Sequence, residues 1–94
     1  MQIRVEAKSD SGFFLANEPE EGYVLFGLDD SIDIEVGDVV SRPHWDDRHG
    51  LFVEARNVTN GENVHICIED WSMSRESAYA RLEVIGSPTK IWTL

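Results

Sequence analysis

Positive charge is scarce in this sequence, which has 8 Lys and Arg residues against 18 Asp and Glu residues and a formal net charge of −10. A protein that binds nucleic-acid phosphates releases their counterions with its own Lys and Arg side chains. Because the pI is near 4.5, we expect no nucleic-acid partner.

Cysteine and long apolar runs are scarce as well. Cys67 is the single cysteine, so no disulfide can form within the chain, and a cytoplasmic location is expected. Residues 1–8 alternate apolar and charged side chains and lack the continuous apolar stretch of a signal peptide. No apolar run approaches the ~20 residues that cross a bilayer, so we expect no membrane partner.

One domain over residues 1–94 is what the length and composition predict. The hydrophobic fraction is 41%, which is ordinary for a folded protein in spite of the charge. A chain of this length forms a single core.

Apolar patterning predicts several short strands. Residues 2–8 place Ile3, Val5 and Ala7 on one face, and residues 23–28 are apolar on both faces, as in a buried strand. Further extended segments are expected at residues 13–16, 32–36, 39–42, 51–59, 62–69, 82–85 and 91–94.

The dipeptide Asn60-Gly61 predicts a two-residue hairpin turn of type I′. This turn pairs Asn57 with Val64 and Ala55 with Ile66. The register gathers one apolar face: Leu51, Val53, Ala55, Val64, Ile66 and Ile68. A slip of the pairing by one residue would turn this apolar face outward, so the hydrophobic pattern supports the register given by the turn.

One helix is predicted over residues 72–82, with Asp70 as the N-cap. Its buried stripe is formed by four residues: Trp71, Ala78, Tyr79 and Leu82.

Together these segments predict a mainly β, α+β fold: a small twisted antiparallel β-barrel, or a curled sheet, of about six strands with one helix near 72–82. Residues 34–40, Ile-Glu-Val-Gly-Asp-Val-Val, resemble the turn-then-strand of many small barrels of the OB and SH3-like kind. The resemblance implies that style of fold alone, because the basic groove and interleaved aromatic residues with which OB-folds bind oligonucleotides are missing.

The loop of residues 43–50 brings metal-ligand types together in the sequence. His44, Asp46 and His49 supply the nitrogen and oxygen ligands that zinc or another divalent metal binds. Their spacing matches no metal motif, and we predict no metal. Trp45 and Arg48 are residue types common at binding hot spots, which predicts a recognition surface; a plain polar connection between strands is the alternative.

Two further groups fail as sites. Residues 29–33 alternate acids like a calcium loop, but the positions that need Gly and Glu hold Ile34 and Val40. His65 and Cys67 lie roughly 6–7 Å apart along one strand, too far for a nucleophile in contact with its base. We therefore predict no cofactor and no enzyme activity.

Negative charge is concentrated in one stretch. Residues 18–38, the acidic segment, carry eight acids and no basic residue: Glu18, Glu20, Glu21, Asp29, Asp30, Asp33, Glu35 and Asp38. We predict that these acids bind a basic partner protein, with Trp45 and Arg48 as anchors. Solubility and protection of strand edges are the plainer interpretation.

Three function hypotheses follow. The preferred one is a non-enzymatic protein-binding module, such as an inhibitor, an antitoxin, an immunity-type protein or a protein that imitates the charge of DNA. The first alternative is a small-molecule or metal-binding module, or a small enzyme, that uses residues 42–50 at a barrel mouth. The second alternative is an OB-like nucleic-acid binder. The sequence does not specify the partner or the oligomeric state.

Overall fold

The chain folds into a mainly β structure with a helix packed on its outer face. The computed structural model describes residues 2–9, 12–20, 22–28, 34–42, 52–85 and 91–93. Its elements are β1 (Gln2–Ser9), β2 (Phe13–Glu18), β3 (Gly22–Leu28), β4 (Val39–Ser41), β5 (Phe52–Asn57), β6 (Glu62–Met73), α1 (Arg75–Ile85) and β7 (Ile91–Thr93).

Six antiparallel strands close into a barrel. Their order is β2-β3-β6-β5-β4-β1, and β1 pairs with β2 to complete the circle, while β7 is added to β1. Arg4 pairs with β2 and β4, and Ala7 pairs with β2 and β7, so β4 and β7 follow one another along the same edge of β1. The predicted small β-barrel with one helix is confirmed, in its closed form.

The barrel interior is filled by apolar side chains. They come from all six strands and from the turn before β4: Ile3, Val5, Phe14, Ala16, Val24, Phe26, Ile34, Val40, Ala55, Val64, Ile66 and Ile68. The rings of Phe14 and Phe26 stack with their centroids 5.4 Å apart. The described interior is thus a packed core, as in other small barrels.

A second apolar layer lies between the outside of the barrel and α1. It contains Ala7, Leu15, Tyr23, Leu25, Ala78 and Leu82. In β3, Val24 and Phe26 face the interior while Tyr23 and Leu25 face the helix. This explains why residues 23–28 are apolar on both faces, and it confirms the predicted buried strand.

A β-bulge at Glu6 changes the direction of the residues that follow. Val5 pairs with Ala16 inside the barrel, whereas Ala7 pairs with Leu15 beneath α1. The prediction that Val5 and Ala7 share one face is therefore wrong. Strict alternation cannot anticipate the one extra residue that a bulge inserts into a strand.

The hairpin between β5 and β6 keeps its predicted faces but not its predicted register. Asn57 pairs with Glu62 and Ala55 with Val64, which is two residues away from the predicted pairing. The loop therefore consists of residues 58–61. Because side chains alternate with a period of two, a shift by two leaves every side chain on its own face.

The turn of this hairpin is not of type I′. Gly61 has a φ of 79°, but Asn60 is not among the positive-φ residues, and type I′ needs positive φ at both central positions. Instead, the Gly61 N–H donates to the Asn57 carbonyl at 2.8 Å. The side chain of Asn60 accepts the Glu62 N–H at 2.9 Å.

The helix begins and ends three residues later than predicted. Ser74, rather than Asp70, caps it, since its Oγ accepts the Ser77 N–H at 3.2 Å. Asp70 lies in β6 and pairs with Leu25 of β3. Local capping signals gave the wrong start because pairing with β3 extends β6 as far as residue 73.

The predicted buried stripe is partly correct. Ala78 and Leu82 are fully buried, and Tyr79 is half-buried. Trp71 is in β6, where it packs against the barrel core. The strand expected at 82–85 is wrong, since these residues complete α1.

A polar contact joins the turn before β4 to the end of β5. Asn57 is fully buried, and its Nδ2 donates to Asp38 Oδ2 at 2.8 Å. Its Oδ1 accepts the Thr59 N–H at 3.1 Å, and the same Asp38 oxygen accepts the Glu35 N–H at 2.9 Å. Because a buried amide is costly without partners, this geometry fixes how β4 meets the hairpin.

We expect Asp38→Ala to lower the free energy of unfolding by about 1–3 kcal/mol, because it leaves the buried Nδ2 of Asn57 without its acceptor. Asp38→Asn keeps an acceptor at this position and should cost less. Asn60→Ala removes one exposed hydrogen bond of the same hairpin and serves as the control. Urea denaturation measures all three, and an equal loss in Asp38→Ala and Asn60→Ala would contradict the account.

Gly22→Ala should be more damaging than Gly12→Ala. Both glycines have positive φ, 101° and 92°, so both substitutions strain the backbone by about 1–2 kcal/mol. An added Cβ at Gly22 would lie 2.8 Å from the Met73 carbonyl oxygen, whereas at Gly12 no atom of the described residues lies within 4 Å. The difference between the two denaturation midpoints isolates the clash, and equal midpoints would refute it.

Candidate functional site

Four members of the acidic segment fall within the described residues, and they differ in what their carboxylates do. Glu18 is only 6% exposed and accepts the Glu20 N–H at 3.0 Å. Asp38 accepts the two hydrogen bonds described above. Glu20 and Glu35 are exposed, so these two present their charge to solvent.

These four acids lie in two separate places. Glu18 and Glu20 lie beyond Asn17, which pairs with Arg4. The Glu35 carboxylate lies 3.0 Å from Lys8 Nζ, and Glu35 and Asp38 belong to the turn before β4, where the Val5 N–H donates to the Asp38 carbonyl. Since β2 pairs along one edge of β1, this turn lies along the other edge. The described acids of the segment therefore flank β1 on its two edges.

The other predicted partner-binding residues lie outside the described residues: Glu21, Asp29, Asp30, Asp33, Trp45 and Arg48. The same holds for the metal-ligand candidates His44, Asp46 and His49. Within the described ranges, no three His, Cys, Asp or Glu side chains lie close enough to hold a metal ion. The predicted partner-binding role stays a prediction.

A cluster that sequence reasoning missed forms around Glu6, the bulged residue of β1. Its Oε1 accepts the Tyr23 hydroxyl at 3.1 Å, and its Oε2 accepts the Tyr79 hydroxyl at 2.6 Å. Arg75 Nε lies 3.8 Å from Oε2, and its guanidinium carbon lies 4.7 Å from the centre of the Tyr79 ring. The cluster thus joins β1 and β3 to α1.

Both tyrosines of the cluster are neutral hydrogen-bond donors at ordinary pH. Burial, reinforced by the hydrogen bond to Glu6, raises the pKa of Tyr79 to about 12. Burial and the nearby charge of Glu6 also raise the pKa of Tyr23. Phenols that ionise so late are poor bases and poor nucleophiles near neutral pH. The cluster is suited to holding the helix on the barrel.

The spacing of Arg75 and Tyr79, four residues apart on one helix, is the part of this cluster visible in the sequence. From the sequence, Glu6 is expected to be an ordinary exposed strand residue, because no local pattern predicts the bulge. Its meeting with Tyr23 depends on the β1–β2–β3 pairing.

His65 and Cys67 lie on the outer face of β6, as predicted. His65 is opposite Glu54, and His65 Nε2 lies 3.8 Å from the Glu54 carboxylate, with both side chains more than half exposed. An exposed pair of this kind contributes little to stability. Cys67 is half-buried beside Phe52.

A shallow groove crosses the same outer face. Phe13 pairs with Gly27, Gly27 with Cys67, and Cys67 with Phe52, so one row runs across four strands. Directly opposed residues share a face. The groove has a volume of about 210 Å³, and its other lining residues are Gly12, Leu28 and Glu69.

The sequon Asn57-Val58-Thr59 is closed off by the fold. The Nδ2 to which a glycan would be attached belongs to a fully buried side chain and donates to Asp38. Modification of the folded chain at this residue would require the hairpin to open.

No protein-family model, curated protein or solved structure matches this chain. Among the residues that the structure describes, no helix has the length and apolar character needed to cross a bilayer. The net charge and the geometry of the outer surface are therefore the observations that bear on function.

The chain has two tyrosines, and both bind Glu6, so their ionisation reports on this cluster alone. We expect the tyrosinate absorbance of the folded protein to appear at a higher pH than that of a free tyrosine, with Tyr79 ionising after Tyr23. Since these pKa values are raised in the fold, their contribution to stability is complete below pH 10 and is lost as the pH rises toward about 12.

Glu6→Gln should move both transitions part of the way back toward 10.0, the ordinary tyrosine value, because the charge disappears while the burial remains. Glu83→Gln, on the exposed side of α1, is the control. Ordinary titration of both tyrosines in the native chain would show that the cluster does not form.

Proposed function

We propose that this chain is a non-enzymatic cytoplasmic protein-binding module that acts on a basic partner protein. An inhibitor, an antitoxin, an immunity-type protein or a protein imitating the charge of DNA is the concrete form. The observation that carries the proposal is the net charge of −10 on 94 residues.

The size of the fold supports this role. The charge is carried on a body of 30 × 28 × 25 Å, and at physiological salt the field of exposed charges extends over a Debye length of about 8 Å. A field of one sign attracts cationic macromolecules and speeds their encounter with the protein.

Several of the described basic residues lie beside acids. Lys8 lies 3.0 Å from Glu35, and Arg81 lies 4.0 Å from Asp70. Arg75 is engaged by Glu6 and the Tyr79 ring. Such pairs are close to neutral, so the excess of acids over bases sets the sign of the outward potential.

The packed interior supports recognition at the outer surface. Apolar side chains fill the described part of the barrel, so a partner would meet the protein on its exterior. That distinguishes the fold from barrels that enclose a ligand in their interior.

A synthetic peptide rich in Lys and Arg is the test probe for the electrostatic step. We expect its association rate with the protein to fall steeply as salt is added, because screening shortens the reach of the charges. Single-stranded DNA at low salt should not bind. A rate that does not change with salt, or micromolar binding of the DNA, would contradict the proposal.

Paired charge variants test whether the acidic segment is the docking face. Glu20→Gln combined with Glu21→Gln removes as much charge as Glu62→Gln combined with Glu83→Gln, and Glu20, Glu62 and Glu83 are exposed. We expect the first pair to slow association more than the second. Equal effects would mean that the overall charge acts without a preferred face.

A further inference from the structure

The groove on the outer face of β2, β3, β6 and β5 exists because Gly27 has no side chain. A Cβ built there would lie 3.4 Å from the ring edge of Phe13, so any larger residue would occupy the floor of the groove. Helix α1 covers the neighbouring outer residues Leu15 and Leu25, and Phe13 packs against the margin of this layer. The result is an apolar depression bounded by two phenylalanines.

Phe52 is the notable residue of this groove, because its side chain is 61% exposed. A large aromatic ring on the rim of a depression is the kind of residue that anchors protein interfaces. The volume of about 210 Å³ is below the ~300–1,000 Å³ of pockets for drug-sized ligands. It is suited to one large side chain.

The charge around the groove is negative. Glu69 lines it, and Glu54 lies two residues beyond Phe52 on the same outer face of β5. An apolar depression with an acidic rim is complementary to an apolar side chain flanked by Lys or Arg.

We propose that this groove receives one large apolar side chain from a basic segment of the partner protein, with Glu69 pairing with a neighbouring Lys or Arg. The inference rests on the proposed function. It adds where the partner docks and which residue types the docking segment of the partner contains.

The test uses the amide spectrum of the isotopically labelled full chain and three synthetic peptides. The first has a central Trp flanked by Lys and Arg, the second has Ser in place of Trp, and the third has Glu in place of the basic residues. We expect the first peptide to shift the amides of Gly12, Gly27, Phe52 and Cys67. It should bind about tenfold more tightly than the second, as burial of part of a large apolar side chain requires, and the third should not bind.

Two variants of the groove make the test specific. Gly27→Ala partly fills the floor, and Phe52→Ser removes the exposed anchor; both should abolish the preference for Trp over Ser. Val58→Ser is the matched control, because Val58 is also an exposed apolar residue, 44% accessible, but lies beyond the opposite end of β5. Thermal melting confirms that each variant is folded. If Gly27→Ala melts at a much lower temperature than the native chain, the Phe52→Ser variant alone decides the test.

The outcomes separate this inference from the proposed function. Equal affinity for the Trp and Ser peptides, with amide shifts away from the groove, would overturn the proposed role of the groove and leave charge-driven binding intact. Equal binding of the Glu-flanked peptide would overturn the role of Glu69. In the absence of peptide, amide shifts at the groove that depend on protein concentration would identify a second copy of the chain as the occupant. That result would also overturn the inference that a partner segment docks there. An absence of shifts with either basic peptide would overturn both.

Discussion

The pairing of β1 along both of its edges is the constraint on which the rest of the structure depends. One edge meets β2, and the other meets β4, the turn before β4, and β7 in succession. Val5 shows this most directly, because its N–H donates to the Asp38 carbonyl and its carbonyl accepts the Gly37 N–H, both at 2.8 Å. Without this double pairing the six strands would form an open sheet, and the apolar residues of its inner face would have no opposing wall.

The bulge at Glu6 divides β1 into a part that serves the barrel and a part that serves the helix. Before the bulge, Val5 faces the interior; after it, Ala7 faces α1. The extra residue places the Glu6 carboxylate where the hydroxyls of Tyr23 and Tyr79 reach it. Helix α1 is held over one part of the outer surface as a result, and the groove beside Gly27 lies next to that part.

The sequence predicts the features that depend on local periodicity. The inward faces of β5 and β6 follow from alternation with a period of two, and the strand at 23–28 buried on both sides follows from a continuous apolar run. The mainly β barrel with one helix follows from the number and type of these segments. The features it misses depend on contacts between distant segments. The extension of β6 beyond Asp70 needs β3 as a partner, and the hairpin register at Asn57 is fixed partly by Asp38, nineteen residues earlier in the chain. The Glu6 cluster needs three elements at once. For the acidic segment, the charge is visible in the sequence but its arrangement is not, since Glu18 is buried on the β2 side of β1 and Glu35 lies in the turn on the other side.

Negative potential at the outer surface is the central claim of this account, and it can be measured residue by residue. The relaxation of backbone amide protons is recorded with a cationic and with an anionic paramagnetic cosolute, and the ratio of the two effects gives the local potential. We expect the cationic cosolute to dominate at Glu20 and around the groove at Phe52 and Glu69, more strongly than on the exposed side of α1. Equal effects of the two cosolutes at these positions, or dominance of the anionic one, would contradict the account.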